Sequence, residues 1–286
     1  GSGSSGAAGV ASLSVSGVPL AQNATTGAIT LTYSTTNCQP GFQWMYDGTN
    51  WQCLQTAFPR RRWGCDEEYT GSGATNNGPC FIYILSGSTL STTGAAIDVS
   101  HPGLHTWLVD ALNDRVSIIT GNSTGNTIAF GVGATYWTDF IFQIDVTSDA
   151  TNTWTLRAGF CDSINADCTD GIYVELNPNV DTEFQCKVAQ NGTRTTLDSG
   201  ITFATATWYR VRIEEESNNV ARILLGAAGA EPTQICGAIS LANLPLGTAR
   251  ATQAGMQFIA TGAGTGARNL TIDYAGWGGY PTTGGR

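Results

Sequence analysis

The feature that most constrains this chain is a succession of short runs in which apolar and polar residues alternate, separated by Gly, Asn, Asp, Ser and Pro. Such runs occupy Phe81–Leu85, Val116–Thr120, Trp137–Val146, Trp154–Phe160, Gly171–Leu176, Glu183–Ala189, Thr207–Glu215, Val220–Leu225, Gly255–Ala260 and Leu270–Trp277. A period of two places successive side chains on opposite faces of a strand, so each run buries one face and wets the other. Trp208, Val211 and Ile213 read as buried against Arg210, Arg212 and Glu214, and Leu270, Ile272 and Tyr274 as buried against Thr271 and Asp273. No segment sustains a helical period, and no repeat of fixed length points to a β-helix or propeller. The expected fold is all-β, a two-sheet antiparallel sandwich.

Charge narrows the possible partners. The chain has 286 residues and a net charge of -9, from 22 acidic against 13 basic side chains. Lys187 is the single lysine. A nucleic-acid partner needs a basic stripe, which this balance does not supply. Arg60, Arg61 and Arg62 form one short basic run, of the kind a solvated loop or carboxylate clamp carries.

Eight cysteines, Cys38, Cys53, Cys65, Cys80, Cys161, Cys168, Cys186 and Cys236, show no CxxC spacing and no neighbouring His, so disulfides are expected rather than zinc. Sequence proximity alone suggests 38 with 53, 65 with 80, 161 with 168 and 186 with 236, out of about 105 pairings. No apolar run is long enough to span a bilayer, and the first residues lack the charged-then-apolar layout of a signal peptide. Residues Gly1 to Gly6 read as a cloning scar or as the flexible start of a natural arm.

Residues 1–55 are expected to form a Gly/Ser/Thr-rich arm, with strand character at Ala28–Tyr33, followed by an aromatic hairpin. In Phe42 to Cys53 an Asp47-Gly48 pair sits between two aromatic runs, a hairpin signal. Residues 56–286 are then the sandwich, its opening stretch from Pro59 to Pro79 loop-like.

Several segments together resemble the concanavalin-A-like (laminin-G-like) jelly rolls of bacteriophage tail fibres and other virion surface proteins. They are Asp170 to Glu175, Gln190 to Thr193, Thr207 to Ile213, Leu270 to Trp277, and Ser100 to Leu104 followed by Ile118 to Gly121. The resemblance covers roughly residues 95–277, and Tyr46 to Trp51 is similar to hairpins that precede such domains. It implies a virion structural protein on the particle surface, serving adhesion or capsid decoration. It implies a homo-oligomer, a trimer by family analogy, docked onto other virion proteins through the N-terminal arm, with cell-surface glycan as a further partner. The alternative is a secreted carbohydrate-binding module or glycan-active enzyme on the same fold. Within such a fold Trp208 would fill the space between the sheets, and Asn191-Gly192 would supply the positive φ angles of a hairpin turn.

Catalytic signals are weak, and the chain reads as a binding protein rather than an enzyme. A retaining glycosidase needs two carboxyls about 5 Å apart, hence acids at alternate positions of one strand face. Glu214-Glu215-Glu216 comes nearest but sits at a strand end before Ser217-Asn218-Asn219. His101 and His105 are separated by Pro102-Gly103, which no helix would align as a metal pair. One oxygen-rich loop, Cys161 to Asp170, carries Asp162, Asn165, Asp167 and Asp170, which would suit calcium if they converged; no other cofactor is implied. Asn23, Asn122, Asn191 and Asn269 begin Asn-x-Ser/Thr triplets, a number that a Thr-rich chain reaches by chance.

Overall fold

The structure is a computed structural model describing the strands 20–22, 29–31, 42–46, 51–55 and 63–68, and residues 80–93, 104–120, 127–163, 165–215, 220–227, 230–239 and 244–281. The chain divides into two compact units, residues 1–61 and 62–286. In the first, β1 (Leu20–Gln22) pairs with β2 (Ile29–Leu31), and β3 (Phe42–Tyr46) pairs with β4 (Trp51–Gln55). The second pair is the expected aromatic hairpin.

The second unit contains β5 (Trp63–Glu68), β6 (Ile82–Ser86), β7 (Thr89–Thr93), β8 (His105–Val109), β9 (Arg115–Ile119), β10 (Ala134–Ile144), β11 (Trp154–Cys161) and β12 (Gly171–Leu176). It continues with β13 (Glu183–Gln190), β14 (Thr193–Thr202), β15 (Trp208–Glu215), β16 (Ala221–Ala227), β17 (Thr233–Ile239), β18 (Gln253–Ala260) and β19 (Arg268–Pro281). Two antiparallel sheets result. The eight-stranded sheet runs β17-β16-β15-β10-β19-β8-β7, with β5 also on β19, and the seven-stranded sheet runs β14-β13-β12-β11-β18-β9-β6. Among the described residues there is no α-helix, only a 3-10 turn at Thr248–Arg250. The second unit is therefore the two-sheet antiparallel sandwich that the alternating runs implied.

Alternation explains the core. Leu156, Ala158 and Phe160 of β11, Ile172, Val174 and Leu176 of β12, and Met256 and Phe258 of β18 face the opposite sheet, where Phe140, Phe142 and Ile144 of β10 meet them. Aromatic rings fill the gap, with centroids 4.8 Å apart for Phe184 and Tyr209, 5.1 Å for Phe130 and Phe160 and 5.4 Å for Trp154 and Phe258. The Asn191-Gly192 turn has φ of 53° and 78° and closes β13 onto β14 with Gln190 opposite Thr193, as its sequence implied. Disulfides join Cys161 to Cys168 and Cys186 to Cys236, and the latter links β13 of one sheet to β17 of the other. Cys80 is also disulfide-bonded; the side chains of Cys38, Cys53 and Cys65 lie outside the described residues, as do Arg60 to Arg62, His101 and Glu216.

Two burial expectations require correction. Trp208 does not fill the inter-sheet space: it is half-buried and shares a face with Arg210, Arg212 and Glu214, while Tyr209, Val211 and Ile213 point inward. Parity decides this, because positions 209, 211 and 213 carry the continuous apolar series and 208 is out of phase with it. In β19 the register shifts where Ile141 pairs with Tyr274 and Phe142 with Ile272, leaving Asp273 as a bulge. Leu270 and Ile272 point inward before it and Ala275 after it, so Tyr274 faces outward. Tyr209→Ala should therefore cost about 3–5 kcal/mol of stability and Trp208→Ala about 1 kcal/mol or less, as read from urea unfolding midpoints.

Candidate functional site

Three rows of side chains cross the outer face of the seven-stranded sheet, and the strand register fixes them. The first row is polar from strand to strand: Asp198, Gln185, Glu175, Arg157, Gln257 and Ser117 stand side by side on β14, β13, β12, β11, β18 and β9. The second is Thr196, Lys187, Tyr173, Gly159, Gly255 and Ile119, and the third is Arg194, Ala189, Gly171, Cys161 and Gln253. At the centre Gly159 is paired with Gly255, so two neighbouring positions carry no side chain. Gly159 has φ of 143°, and a Cβ there would lie 2.5 Å from the Ile172 carbonyl oxygen. Gly255 is equally constrained, since its Cβ would lie 2.4 Å from the Ile118 carbonyl oxygen. A small depression, with room for about one water molecule, lies over this pair. Arg157, Ser163, Tyr173, Gln253, Gln257 and Ile119 are among the residues that line it.

A network of charges sets one wall. Arg157 Nε donates to Glu175 Oε2 at 2.7 Å, and the Lys187 ammonium bonds Glu175 Oε1. Asp167, in the Cys161–Cys168 loop, reaches Arg157 at 3.3 Å and Arg194 at 3.2 Å, and accepts the Tyr173 hydroxyl at 2.7 Å. Burial alone would raise the Asp167 pKa, but the Tyr173 hydrogen bond and the Arg157, Arg194 and Lys187 charges hold it below the usual carboxylate value. Burial first, and the Asp167 bond second, push the Tyr173 phenol well above its ordinary value, so it stays protonated and donates.

The two glutamines behave differently from the ions. Gln253 and Gln257 are each 3% exposed, and the Oε1 of each has no hydrogen-bond partner. The Gln257 amide nitrogen donates to the Ser163 carbonyl of the disulfide loop, which turns its Oε1 away. An unmade bond at a buried carbonyl costs about 1–3 kcal/mol, which a donor arriving from a ligand would recover.

The candidates read from the sequence are dispersed by comparison. Asp162 Oδ1 accepts the Thr169 amide at 2.8 Å, Asn165 Oδ1 lies 3.5 Å from the Ser163 hydroxyl, and Asp170 accepts from Arg250 at 3.1 Å and from the Asn191 amide at 2.8 Å. With Asp167 held by two arginines, each of the four oxygen-bearing side chains is engaged within the protein. No group of three or more His, Cys, Asp or Glu among the described residues is placed to hold a metal ion. His105 is buried on β8 between Tyr83 and Trp107. Glu214 pairs with Arg212 on the outer face of the other sheet.

Glu215, in the acidic triplet at the end of β15, is turned by parity into the inter-sheet core at 6% exposure. It accepts the Gly131 amide at 3.3 Å and a backbone bond from Tyr136, its Oε2 has no partner, and burial pushes its pKa up to about 7. Among the residues sequence reasoning missed, Arg157, Glu175, Gln253 and Gln257 are unremarkable in the sequence. The signal that could have marked the place is a Gly within each of two strands, Gly159 in β11 and Gly255 in β18.

A family model, SO2946-like, C-terminal domain, matches residues 111–273, more than half of the sequence. The chain belongs to this family. The SO2946-like domain is similar in fold to a protein of unknown function, SO2946, from Shewanella oneidensis MR-1. The two are 14% identical, with a TM-score of 0.57 over 82% of this chain and 93% of that one. Peanut lectin with a nine-residue peptide (13% identity, TM-score 0.47) and a Lotus tetragonolobus seed lectin (10%, 0.49) each align over 78% of this chain and 100% of theirs, scores that carry no argument about function. No curated protein matches.

The Glu215 carboxyl gives the SO2946-like domain a pH dependence with a defined sign. Its folded pKa of about 7 lies above the ordinary value of 4.5, so its contribution is fully present below pH 4.5 and is lost as pH rises through 7. The loss should be on the order of 2–3 kcal/mol in chemical denaturation, and Glu215→Gln should flatten the curve across that window.

Proposed function

We propose that the SO2946-like domain is a non-catalytic glycan-binding module of a secreted or particle-surface protein, with its site over the Gly159–Gly255 pair. The observation that carries this reading is the pair of buried, unpartnered amide carbonyls of Gln253 and Gln257 at a depression with Arg157 beside them. Amide acceptors next to guanidinium donors suit vicinal hydroxyls, each of which both donates and accepts. A row of polar side chains across the sheet gives an extended saccharide further contacts.

The same geometry supports binding over hydrolysis. Glu175 is the carboxylate nearest the centre of the polar row, and it is paired with Arg157 and Lys187. Its alternate neighbours on the same face of β12 are Tyr173 and Gly171, so β12 offers no second carboxyl for double displacement. Disulfides at 161–168 and 186–236 fit an oxidising compartment.

The finer placement, a virion surface component that trimerises and docks through residues 1–55, rests on the resemblance of the strand segments to tail-fibre jelly rolls. Light scattering of the non-reduced protein should give a concentration-independent trimer, and a monomer at every concentration would remove that placement. For the binding reading, glycan-array screening should return specific oligosaccharides, and Gln253→Ala and Gln257→Ala should each weaken the best one by about tenfold. The melting temperature should not fall in Gln253→Ala, where an unpartnered acceptor is removed, whereas Gln257→Ala also loses the bond to the Ser163 carbonyl and should melt lower. Absence of any glycan signal would overturn the proposal.

A further inference from the structure

We infer that the ligand of this site is an uncharged glycan, bound without a metal ion; this rests on the binding reading above and names its substrate class. The charges around the depression are closed among themselves. Glu175 is taken by Arg157 and Lys187, Asp167 by Arg157 and Arg194, Asp170 by Arg250, and Asp162 by the Thr169 amide. Arg157, Lys187, Arg194 and Arg250 thus each already contact one of three carboxylates, Glu175, Asp167 and Asp170, so an anionic ligand would have to compete with these partners.

Two buried groups at the depression with unmet hydrogen-bonding capacity are neutral. Gln253 Oε1 and Gln257 Oε1 are acceptors and call for donors. A uronate carboxylate or a sulfate brings acceptor oxygens only, which would face two amide carbonyls and the Glu175 charge in a partly desolvated setting. A sugar hydroxyl brings the missing donor. Gly159 and Gly255 carry no side chain, so that hydroxyl meets only backbone at the floor of the depression.

Recruiting calcium as a bridge would require carboxylates to leave their present partners. Asp167 would give up Arg157, Arg194 and Tyr173, and Glu175 would give up Arg157 and Lys187. Each release would strand a cation on a half-buried face, at a cost the metal would have to exceed.

The test compares neutral oligosaccharides (gluco-, manno- and galacto-configured) with polygalacturonate and sulfated dextran, each titrated with the full chain in EDTA and again in excess calcium. The expected result is binding confined to neutral saccharides, changed by less than about twofold between EDTA and calcium, and nearly insensitive to salt. Preference for an acidic polymer, or loss of binding in EDTA, overturns the inference while leaving the glycan-binding reading in place. Failure of both neutral and acidic probes overturns that reading as well. Gln253→Ala, losing at least about tenfold for the neutral ligand with an unchanged melting temperature, ties the signal to this depression.

Discussion

Everything in this domain depends on the layer of rings and aliphatic chains trapped between the two sheets, because that layer fixes which way every other residue points. With Phe160, Ile172, Phe184 and Phe258 committed inward, the intervening residues of β11, β12, β13 and β18 have no choice but the outer face. Arg157, Glu175, Lys187, Gln253 and Gln257 are brought together by this exclusion, although they come from separate parts of the chain. The site is in that sense a by-product of core packing, and shifting any of those strands by one residue would dissolve it.

Parity also explains where the sequence was legible and where it was not. The strands from β9 to β13, and β15, β16, β18 and β19, are visible because their inward positions are apolar. β14 escaped notice since Thr193 to Asp198 is exposed along its length and shows no apolar series. The Asn191-Gly192 turn was readable because its chemistry is local. Trp208 was misplaced because the size of its ring was weighed above its phase, and Tyr274 because a bulge at Asp273 cannot be seen in a single strand. Glu215 lies in an acidic triplet at a strand end, yet it continues the Tyr209, Val211, Ile213 series into the interior.

The depression was invisible for a different reason. Gly159 and Gly255 are each ordinary within their own strands, and only the pairing of β11 with β18 sets them side by side. Non-local register is not encoded in either segment alone, so no reading of motifs would have found Gln253 and Gln257 as a pair. The oxygen-rich Cys161–Cys168 loop was conspicuous in the sequence; its structural contribution is a wall for the site, with Asp167 and the Ser163 carbonyl as its points of attachment.

The Cys186–Cys236 bond reaches from one sheet to the other at the side of the sandwich where β14 and β17 lie. The apolar layer between the sheets adheres through dispersion and the exclusion of water, which resist compression well and sliding poorly. A pull that shears one sheet over the other is therefore borne at that side by a covalent link, and the sandwich can rack but not come apart there. A tether between a surface and whatever it grips would meet this kind of load.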